Sequence, residues 1–377
     1  MRFQREAPKV LIGSIVVVVV GMALAANQLF SGLTSAIEED QLKLMRSIIE
    51  FNMKGAEGRA LARAEMVANL PAVREIFAAR DRDRLLAEMT PMFENQKERH
   101  GVDQMQFHLP PATSFLRLHS PASFGDDLSK FRPMVVAVNR DKTSKKGLAI
   151  ARSGPAVFGV TPVYDLAGGH IGSVEFGIDF GPMLDGLKAA YDIDLALFIE
   201  EQPLRDFAKG VSPEILSERN RVGKYIKYHS TNWDLMRPLA LEGDLASGNE
   251  AQYARESQGV PYGVVLVPLR NAAGDSLGMI AMARNFSSTR SAAKRSLIWQ
   301  GLLALFAIVL LSGAVLVVLR GVLLQPLAML NERFARLAAG RPGDSVEEPE
   351  ALCDELQELA RHHDRLRAAA KAEEAKR

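Results

Sequence analysis

The sequence predicts an α+β domain carried between two membrane-spanning helices and followed by a pair of short amphipathic helices. Three observations predict it. Val10–Phe30 and Leu297–Leu319 are runs of 21 and 23 residues without a charge, and about 20 such residues cross the hydrocarbon layer of a bilayer. Between the runs, apolar residues recur first at threes and fours and then at twos, a helix followed by strands. Beyond the second run, leucines step by 4, 3, 4, 3, the spacing of a paired helical seam.

The charges set the threading. Arg2, Arg5 and Lys9 precede the first run, whereas Glu38, Glu39 and Asp40 follow it; Arg320, Arg333, Arg336 and Arg341 follow the second. Positive charge marks the cytoplasmic side. Lys294 and Arg295 oppose this locally and are outweighed. The chain is therefore expected to hold residues 1–9 inside, 10–30 as a first span and 31–296 outside. A second span follows at 297–319, then a cytoplasmic relay at 320–367 and a short charged tail at 368–377. Ala23-Leu24-Ala25 would suit signal-peptide cleavage, but the apolar stretch exceeds the 7–15 residues of such signals, so an uncleaved anchor is expected. With 46 Lys+Arg against 45 Asp+Glu, the chain lacks the basic excess of a nucleic-acid binder. Its one cysteine, Cys353, excludes a disulfide framework, a multi-cysteine zinc site and a c-type haem attachment.

Outside the membrane, Ile37, Leu42, Met45, Ile48, Ile49 and Met53 predict a helix from Thr34 to about Arg80, kinked or restarted at Pro71. After Gly101, Met105, Phe107 and Leu109 alternate with Gln106 and His108, and Leu116 and Leu118 with Phe115, Arg117 and His119. These read as two half-buried strands joined at Pro110-Pro111. Val157–Tyr164 and Ile171–Phe180 read as a hairpin turning at Asp165–Gly169. Tyr262–Leu269 and Leu277–Phe286 repeat it: Phe158-Gly159-Val160 matches Tyr262-Gly263-Val264, Ile171-Gly172 matches Leu277-Gly278, and the second turn is longer by two residues. Two α+β modules are expected, a distal one over about 80–182 and a proximal one over about 183–290. Between the hairpins, Gly181–Asp194 reads as a helical stretch, Leu195–Glu200 and Gly223–Ser230 as strands, and Pro203–Asn220 as helical or irregular.

The strands of the first module have unlike faces. One carries Met105, Phe107, Leu109, Leu116, Leu118, Val174, Phe176 and Ile178 and must pack on the long helix. The other carries Gln106, His108, Phe115, Arg117, His119, Glu175 and Asp179, with Arg132 at a helix start and Arg152 at a strand end as further candidates. Apolar walls with a few convergent polar groups are the make-up of a small-molecule site. Arginine offers a two-pronged donor to a carboxylate, and Glu and Asp receive an ammonium. An amino acid, a carboxylate or an amine would suit. The alternative is structural: Arg117 pairing with Glu175 or Asp179 to fix the sheet. His108, His119 and Glu175 are metal-ligand types, but nothing in their spacing demands a metal, and no cofactor is expected.

The order of elements, with Phe107–His119, Phe124-Gly125-Asp126-Asp127-Leu128 and Gly169–Gly177, resembles the double Cache sensor domains of bacterial chemoreceptors and sensor histidine kinases, over roughly residues 35–290. The resemblance implies tandem Cache (PAS-like) modules on a long amino-terminal helix, in a two-pass protein of the bacterial inner membrane with a periplasmic sensor. Past the second span, Leu323, Leu327, Leu330, Phe334 and Leu337 form one seam, and Leu352, Leu356, Leu359, His363 and Leu366 a second; Arg341-Pro342-Gly343 breaks the chain between them, and Val346 stands alone in a polar connector. Pro326-Leu327, Leu337-Ala338-Ala339-Gly340 and Asp354-Glu355-Leu356 are similar to a HAMP relay, a two-helix coiled coil that implies a homodimer. His363 reads as a tolerated polar residue of that seam. No nucleotide-binding, methyl-accepting or catalytic motif accompanies these elements, so the expectation is a non-enzymatic receptor subunit of chemotaxis type with a separate cytoplasmic output partner. The alternative is a membrane adaptor pairing with a full-length receptor or kinase.

Overall fold

The computed structural model describes residues 2–341, 345–346 and 353–374. They fall into two compact units: Ser35–Thr289, and the residues up to Thr34 together with those from Arg290 onward. Helix α1 spans Arg2–Ala68. In the Ser35–Thr289 unit there follow α2 (Pro71–Ala78), α3 (Arg82–His100), β1 (Val102–Leu109), β2 (Thr113–Arg117), α4 (Pro133–Asp141), β3 (Lys145–Ala151), β4 (Gly154–Tyr164) and β5 (His170–Asp179). Then come α5 (Phe180–Tyr191), β6 (Asp194–Glu200), α6 (Glu201–Phe207), a 3-10 turn, β7 (Arg221–Val222), β8 (Tyr225–Ser230), α7 (Trp233–Leu239), α8 (Glu242–Ala246), β9 (Ala251–Ser257), β10 (Val260–Arg270) and β11 (Ser276–Asn285).

The expected helical stretch breaks at Asn69-Leu70 and restarts with Pro71 at the head of α2, a position whose missing N–H would have no helical partner. Helix α3 is an addition to the expected pattern. Its stripe of Leu85, Met89 and Phe93 is narrow and set among charges. Its ends nonetheless carry ordinary signals: the Asp81 carboxylate accepts a hydrogen bond from the Arg84 amide at 3.1 Å, and Gly101 closes the helix at φ 66°.

Two antiparallel sheets form the body. The first has strand order β2-β1-β5-β4-β3 and the second β7-β8-β6-β11-β10-β9. Apart from the added β7, the two orders correspond strand for strand, and so does the pairing. Phe107↔Leu116 is followed by His108↔Ser114 in the first sheet, and Leu197↔His229 by Phe198↔Lys227 in the second, so both carry a bulge at the same place. The hairpins agree as well: Val163↔Gly172 and Tyr164↔His170 answer to Leu269↔Gly278 and Arg270↔Ser276. The longer second turn expected from sequence is thereby corrected. Both turns leave five residues between strands, and Gly159, opposite Phe176, is the counterpart of Val265, opposite Met282, and not of Gly263 two places away. Local likeness around a glycine misplaced the register, which the pairing of the strand ends fixes.

One face of each sheet packs on the α1 side. On the first sheet, Met105, Phe107, Val174 and Phe176 bury with Ala60, Ala64 and Phe77. On the second, Leu195, Leu197, Ile280 and Met282 bury with Met45 and Ile49. Gly159 makes the α1 contact close. A Cβ there would run into the helix backbone at Ala60 and Leu61. The opposite face of the first sheet lies under α4, through Ala156, Phe158, Val160, Val135 and Val138. Strand β1 is consequently buried on both faces, not on one as its alternation suggested.

In the other unit, α9 (Ser287–Val318) leads through a π-helical stretch (Leu319–Leu324) into α10 (Gln325–Ala338), and α11 spans Asp354–Glu374. Two helices contain windows long and apolar enough to cross a membrane, and only 6% and 0% of those windows are buried, which separates them from core helices. Helices α10 and α11 meet through Leu330, Leu356, Ala360 and Val346, the residue that looked isolated in sequence. His363 is buried there, edge-on to the Phe334 ring at 5.1 Å, whereas Leu359 and Leu366 remain exposed. Leu352, Pro342 and Gly343 lie outside the described residues.

Gly159→Ala is expected to destabilise the Ser35–Thr289 unit by ~1–3 kcal/mol, because a methyl group must push a helix off a sheet. Gly186→Ala, in α5 with open space at its Cβ position, should be neutral or stabilising. Thermal unfolding of the two variants checks both signs.

Candidate functional site

The site lies on the α4-facing side of the first sheet. Cross-strand pairing aligns Arg117, Gln106, Glu175 and Val160 in one row, and His108 pairs with Ser173 in the next. Side chains in such rows are near neighbours. Gln106, His108, Arg117, Ser173 and Glu175 are all buried, with 0–5% exposure, so this face is no solvated surface.

The charges are matched in a pattern different from the sequence expectation. Arg117 pairs with neither Glu175 nor Asp179. Its two Nη atoms bond both oxygens of Asp126 at 2.8 Å, and Nη1 also donates to the Ser123 carbonyl at 2.8 Å. Glu175 receives Arg132 instead, which enters from the residue before α4. The Arg132 guanidinium also lies over the Phe158 ring, 4.1 Å from its centroid. Proline at the first position of α4 keeps the residue before it out of the helical conformation, and Arg132 sits at φ −125°, ψ 64°. His108 Nε2 is 3.7 Å from Glu175, beyond hydrogen-bonding distance.

Each shifted group has a physical cause. Burial pushes the Glu175 carboxyl up, against the pull of Arg132 and Arg117. Burial, reinforced by the Arg132 and Arg117 charges, holds His108 well below the usual imidazole range. His119 is lowered to about 4, chiefly by burial, with the Met105 backbone opposing and Arg117 assisting. The Arg117 hydrogen bonds hold Asp126 below the usual carboxylate range.

A cavity of about 140 Å³ opens over this row. Of the nine residues expected to line a site, Gln106, Arg117, His119, Arg132 and Arg152 border it. Glu175 and His108 sit behind that lining, through Arg132. Two residues lie elsewhere. Phe115 is the bulged residue of β2, so its side chain turns to the α1 side and packs on Phe77, centroids 5.2 Å apart. Asp179 ends β5 and heads α5, where its amide bonds the Gly101 carbonyl. A bulge cannot be read from alternation, because one extra residue swaps the faces. The wall also includes Gln104, Asp126, Phe131, Asp206, Phe207 and Lys209. Asp126 belongs to the Phe124–Leu128 segment already conspicuous in sequence; the last three arrive from α6 and its end, with no local signal. Among the described residues, no three His, Cys, Asp or Glu side chains are grouped to hold a metal.

The second sheet provides an internal comparison. By the strand pairing above, Gln106, His108, Ser173 and Glu175 correspond to Ala196, Phe198, Met279 and Ala281, and Arg117 to Ser230. That face is filled by Met236, Leu239 and Leu245 of α7 and α8. One scaffold thus carries an apolar core in one place and a polar chamber in the other.

The family model described as a double sensory domain of two-component sensor kinases matches residues 51–289. No curated protein sequence matches the chain. Among solved structures, the ligand-binding domain of the Campylobacter jejuni chemoreceptor Tlp3 in complex with L-valine is similar at 12% identity and TM-score 0.41, over 70% of this chain and 97% of that one. The sensor domain of the Vibrio cholerae histidine kinase DctB is similar at 10% identity and TM-score 0.39, over 68% and 98%. An extracellular ligand binding receptor from Desulfohalobium retbaense DSM5692 is similar at 13% identity and TM-score 0.34, over 67% of this chain; the chain spans 40% of that receptor.

The lowered His119 fixes a sign. An unfolded chain takes up this proton near pH 6.5, the folded one only near 4. Stability must therefore fall as pH drops through that window and be unaffected by His119 above it. Wild type should lose thermal stability more steeply than His119→Gln between pH 6.5 and 4, and the two melting curves should run parallel above pH 7.

Proposed function

The chain belongs to the family of double sensory domains of two-component sensor kinases, and from that premise we propose that it is a two-pass receptor subunit of a bacterial inner membrane. Residues 31–296 stand in the periplasm and take a small molecule of the amino acid, carboxylate or amine class in the cavity beside β1 and β2. The polar face carries this reading. On the second sheet the same positions hold Ala, Phe, Met and Ala, a solution that needs no buried charge. On the first they hold a desolvated Arg132–Glu175 pair, a buried His108 and a second pair reaching the cavity wall. Buried ion pairs are seldom retained for stability, since apolar replacements of similar volume are often as stable. Keeping one beside a cavity is the expected mark of recognition.

The relay is the packed α10–α11 pair, read as a HAMP element working in a homodimer and acting on a cytoplasmic partner. Leu359 and Leu366, 42% and 56% exposed on α11, offer the unpaired side of that seam. Along α1, Ile37, Leu44 and Phe51 recur every seven residues and are 48%, 52% and 78% exposed, a stripe suited to a second copy of the same helix. Proteins of this plan respond when a ligand binds one of two arrangements more tightly than the other.

The full chain in lipid nanodiscs, screened by thermal shift against amino acids, organic acids and amines, should give a hit. Arg152→Ala, an exposed cation of the cavity wall, should weaken that hit at least fivefold while the unliganded melting temperature stays near wild type. A screen with no shift in any class overturns the receptor reading. For the dimer, Leu44→Cys in a Cys353→Ser background should form a disulfide-linked pair in membranes under mild oxidation, and Glu38→Cys, off the stripe, should form far less.

A further inference from the structure

The cavity beside β1 and β2 is too small for most ligands. Its volume is about 140 Å³, whereas small-molecule sites run to ~300–1,000 Å³. A second cavity of about 530 Å³ adjoins it where the two sheets of the Ser35–Thr289 unit meet. The two share four wall residues: Phe131, Arg132, Ile150 and Phe207. Phe131 and Phe207 stand edge to face with centroids 5.5 Å apart, and Phe131 is 44% exposed. The partition is thus two aromatic side chains, one of them largely free of packing.

The chambers differ in character. The larger is walled by Met134 and Ala137 of α4, Leu148 of β3, and Ala272 and Ala273 of the β10–β11 turn, with Lys130 and the Arg140–Asp141–Lys145 ion pairs along its border. That turn reaches the first sheet directly, where Asn271 bridges to Leu148. The smaller chamber has Arg117, Arg132, Arg152 and Lys209 in its wall against Asp126 and Asp206. Arg117 is matched by Asp126 and Arg132 by Glu175. Arg152 acts on Asp126 only through space, behind the hydrogen-bonded Arg117, and Lys209 donates to the Arg205 carbonyl. The remaining acid of the wall, Asp206, is held by Gln202 at 3.0 Å. Arg132, 5% exposed, has an Nε without a protein partner where the chambers meet.

We infer that the ligand is an amphipathic carboxylate whose charged end lies in the polar chamber, among Arg152, Lys209 and Arg132, and whose apolar body passes the Phe131–Phe207 partition into the chamber between the sheets. The inference rests on the receptor reading above and narrows it. Size rules out the small chamber alone: at about 140 Å³ it holds a head group, and the adjoining chamber of about 530 Å³ has the room for the body. Chemistry decides the polarity: an anion meets four wall cations against two wall carboxylates at one end, and a hydrocarbon meets Met134, Leu148 and Ile150 at the other.

The test is isothermal titration of the full chain in nanodiscs with the straight-chain acids from acetate to hexanoate, with empty nanodiscs subtracted. Affinity should rise about three- to fourfold per methylene in wild type, the increment of burying hydrocarbon. Ala273→Trp, a substitution in an exposed turn that fills the larger chamber, should flatten the series and leave acetate binding unchanged. Arg152→Ala should weaken every member equally. If acetate binds but length adds nothing, or if Ala273→Trp keeps the full rise, the two-chamber assignment is overturned and the receptor reading stands. If no acid binds while another class shifts the melting temperature in the broader screen, the carboxylate assignment alone is overturned. Silence in both experiments overturns both.

Discussion

A carboxylate held out of water beneath a sheet is the constraint around which the first half of the sensor unit is arranged. Glu175 lies in the middle strand of five, 1% exposed. Ionised and alone there, it would be strongly unfavourable. Its partner comes from a residue distant in sequence, Arg132, so α4 must dock over the sheet before the charge is matched. Arg132 brings its own requirements: a flat surface for its guanidinium, given by Phe158, and a backbone outside the helical conformation, kept there by Pro133. Arg117 and Asp126 repeat the device at the rim and tie the 119–132 segment to β2. The 119–132 segment that borders the cavity and the ionic interior behind it are therefore tied into one structure.

The second sheet shows what the scaffold does without that constraint. The same bulge, hairpin and strand order return, and the positions of Gln106, His108 and Glu175 are taken by Ala196, Phe198 and Ala281. Small residues let α7 and α8 settle onto the strands, and a core of Met236, Leu239 and Leu245 fills the space. Packing of that kind stabilises by roughly 25 cal/mol per Å² of apolar surface removed from water, with no desolvation to offset. The polar version forgoes some of this on one face and recovers it on the other, where both sheets bury aliphatic and aromatic side chains against α1.

Much of this was legible in the sequence. The two apolar runs, the long helix, both hairpins and the repeat follow from periodicity and turn residues, because those signals are local. The face holding Gln106, His108, Arg117 and Glu175 was legible too, from the residue types alternating with Met105, Phe107 and Leu116. Pairing was not. Which arginine meets which acid depends on where α4 and the 119–132 segment dock, and no spacing within β1 or β5 encodes it. Phe115 was misassigned because a bulge reverses alternation. The two-residue slip in the repeat arose because Gly159 and Gly263 look alike but meet different neighbours: the α1 backbone for one, and the Phe286 ring and Leu42 side chain for the other. Asp206, Phe207 and Lys209 reach the cavity from α6 and the residue two beyond it, after the first strand of the second sheet, a purely tertiary fact.

That last fact bears most on how a sensor of this plan would work. The cavity wall takes Gln104, Gln106 and Arg117 from strands of the first sheet, and Asp206, Phe207 and Lys209 from the chain that has just left the second. A molecule lodged there touches both. A ligand shifts a two-state equilibrium only by the difference in its affinity for the two states. A site within one rigid sheet would bind equally well however the sheets were disposed, and would shift nothing. A site shared between them loses contacts whenever their separation changes, and each tenfold loss of affinity, ~1.4 kcal/mol, is a tenfold bias toward the arrangement that keeps them. Polar groups sharpen the dependence, since a charge-assisted hydrogen bond weakens over a few tenths of an ångström while an apolar contact tolerates such a displacement. On the proposed reading, the buried charges serve recognition and signalling together: they make binding depend on the spacing that the receptor has to report.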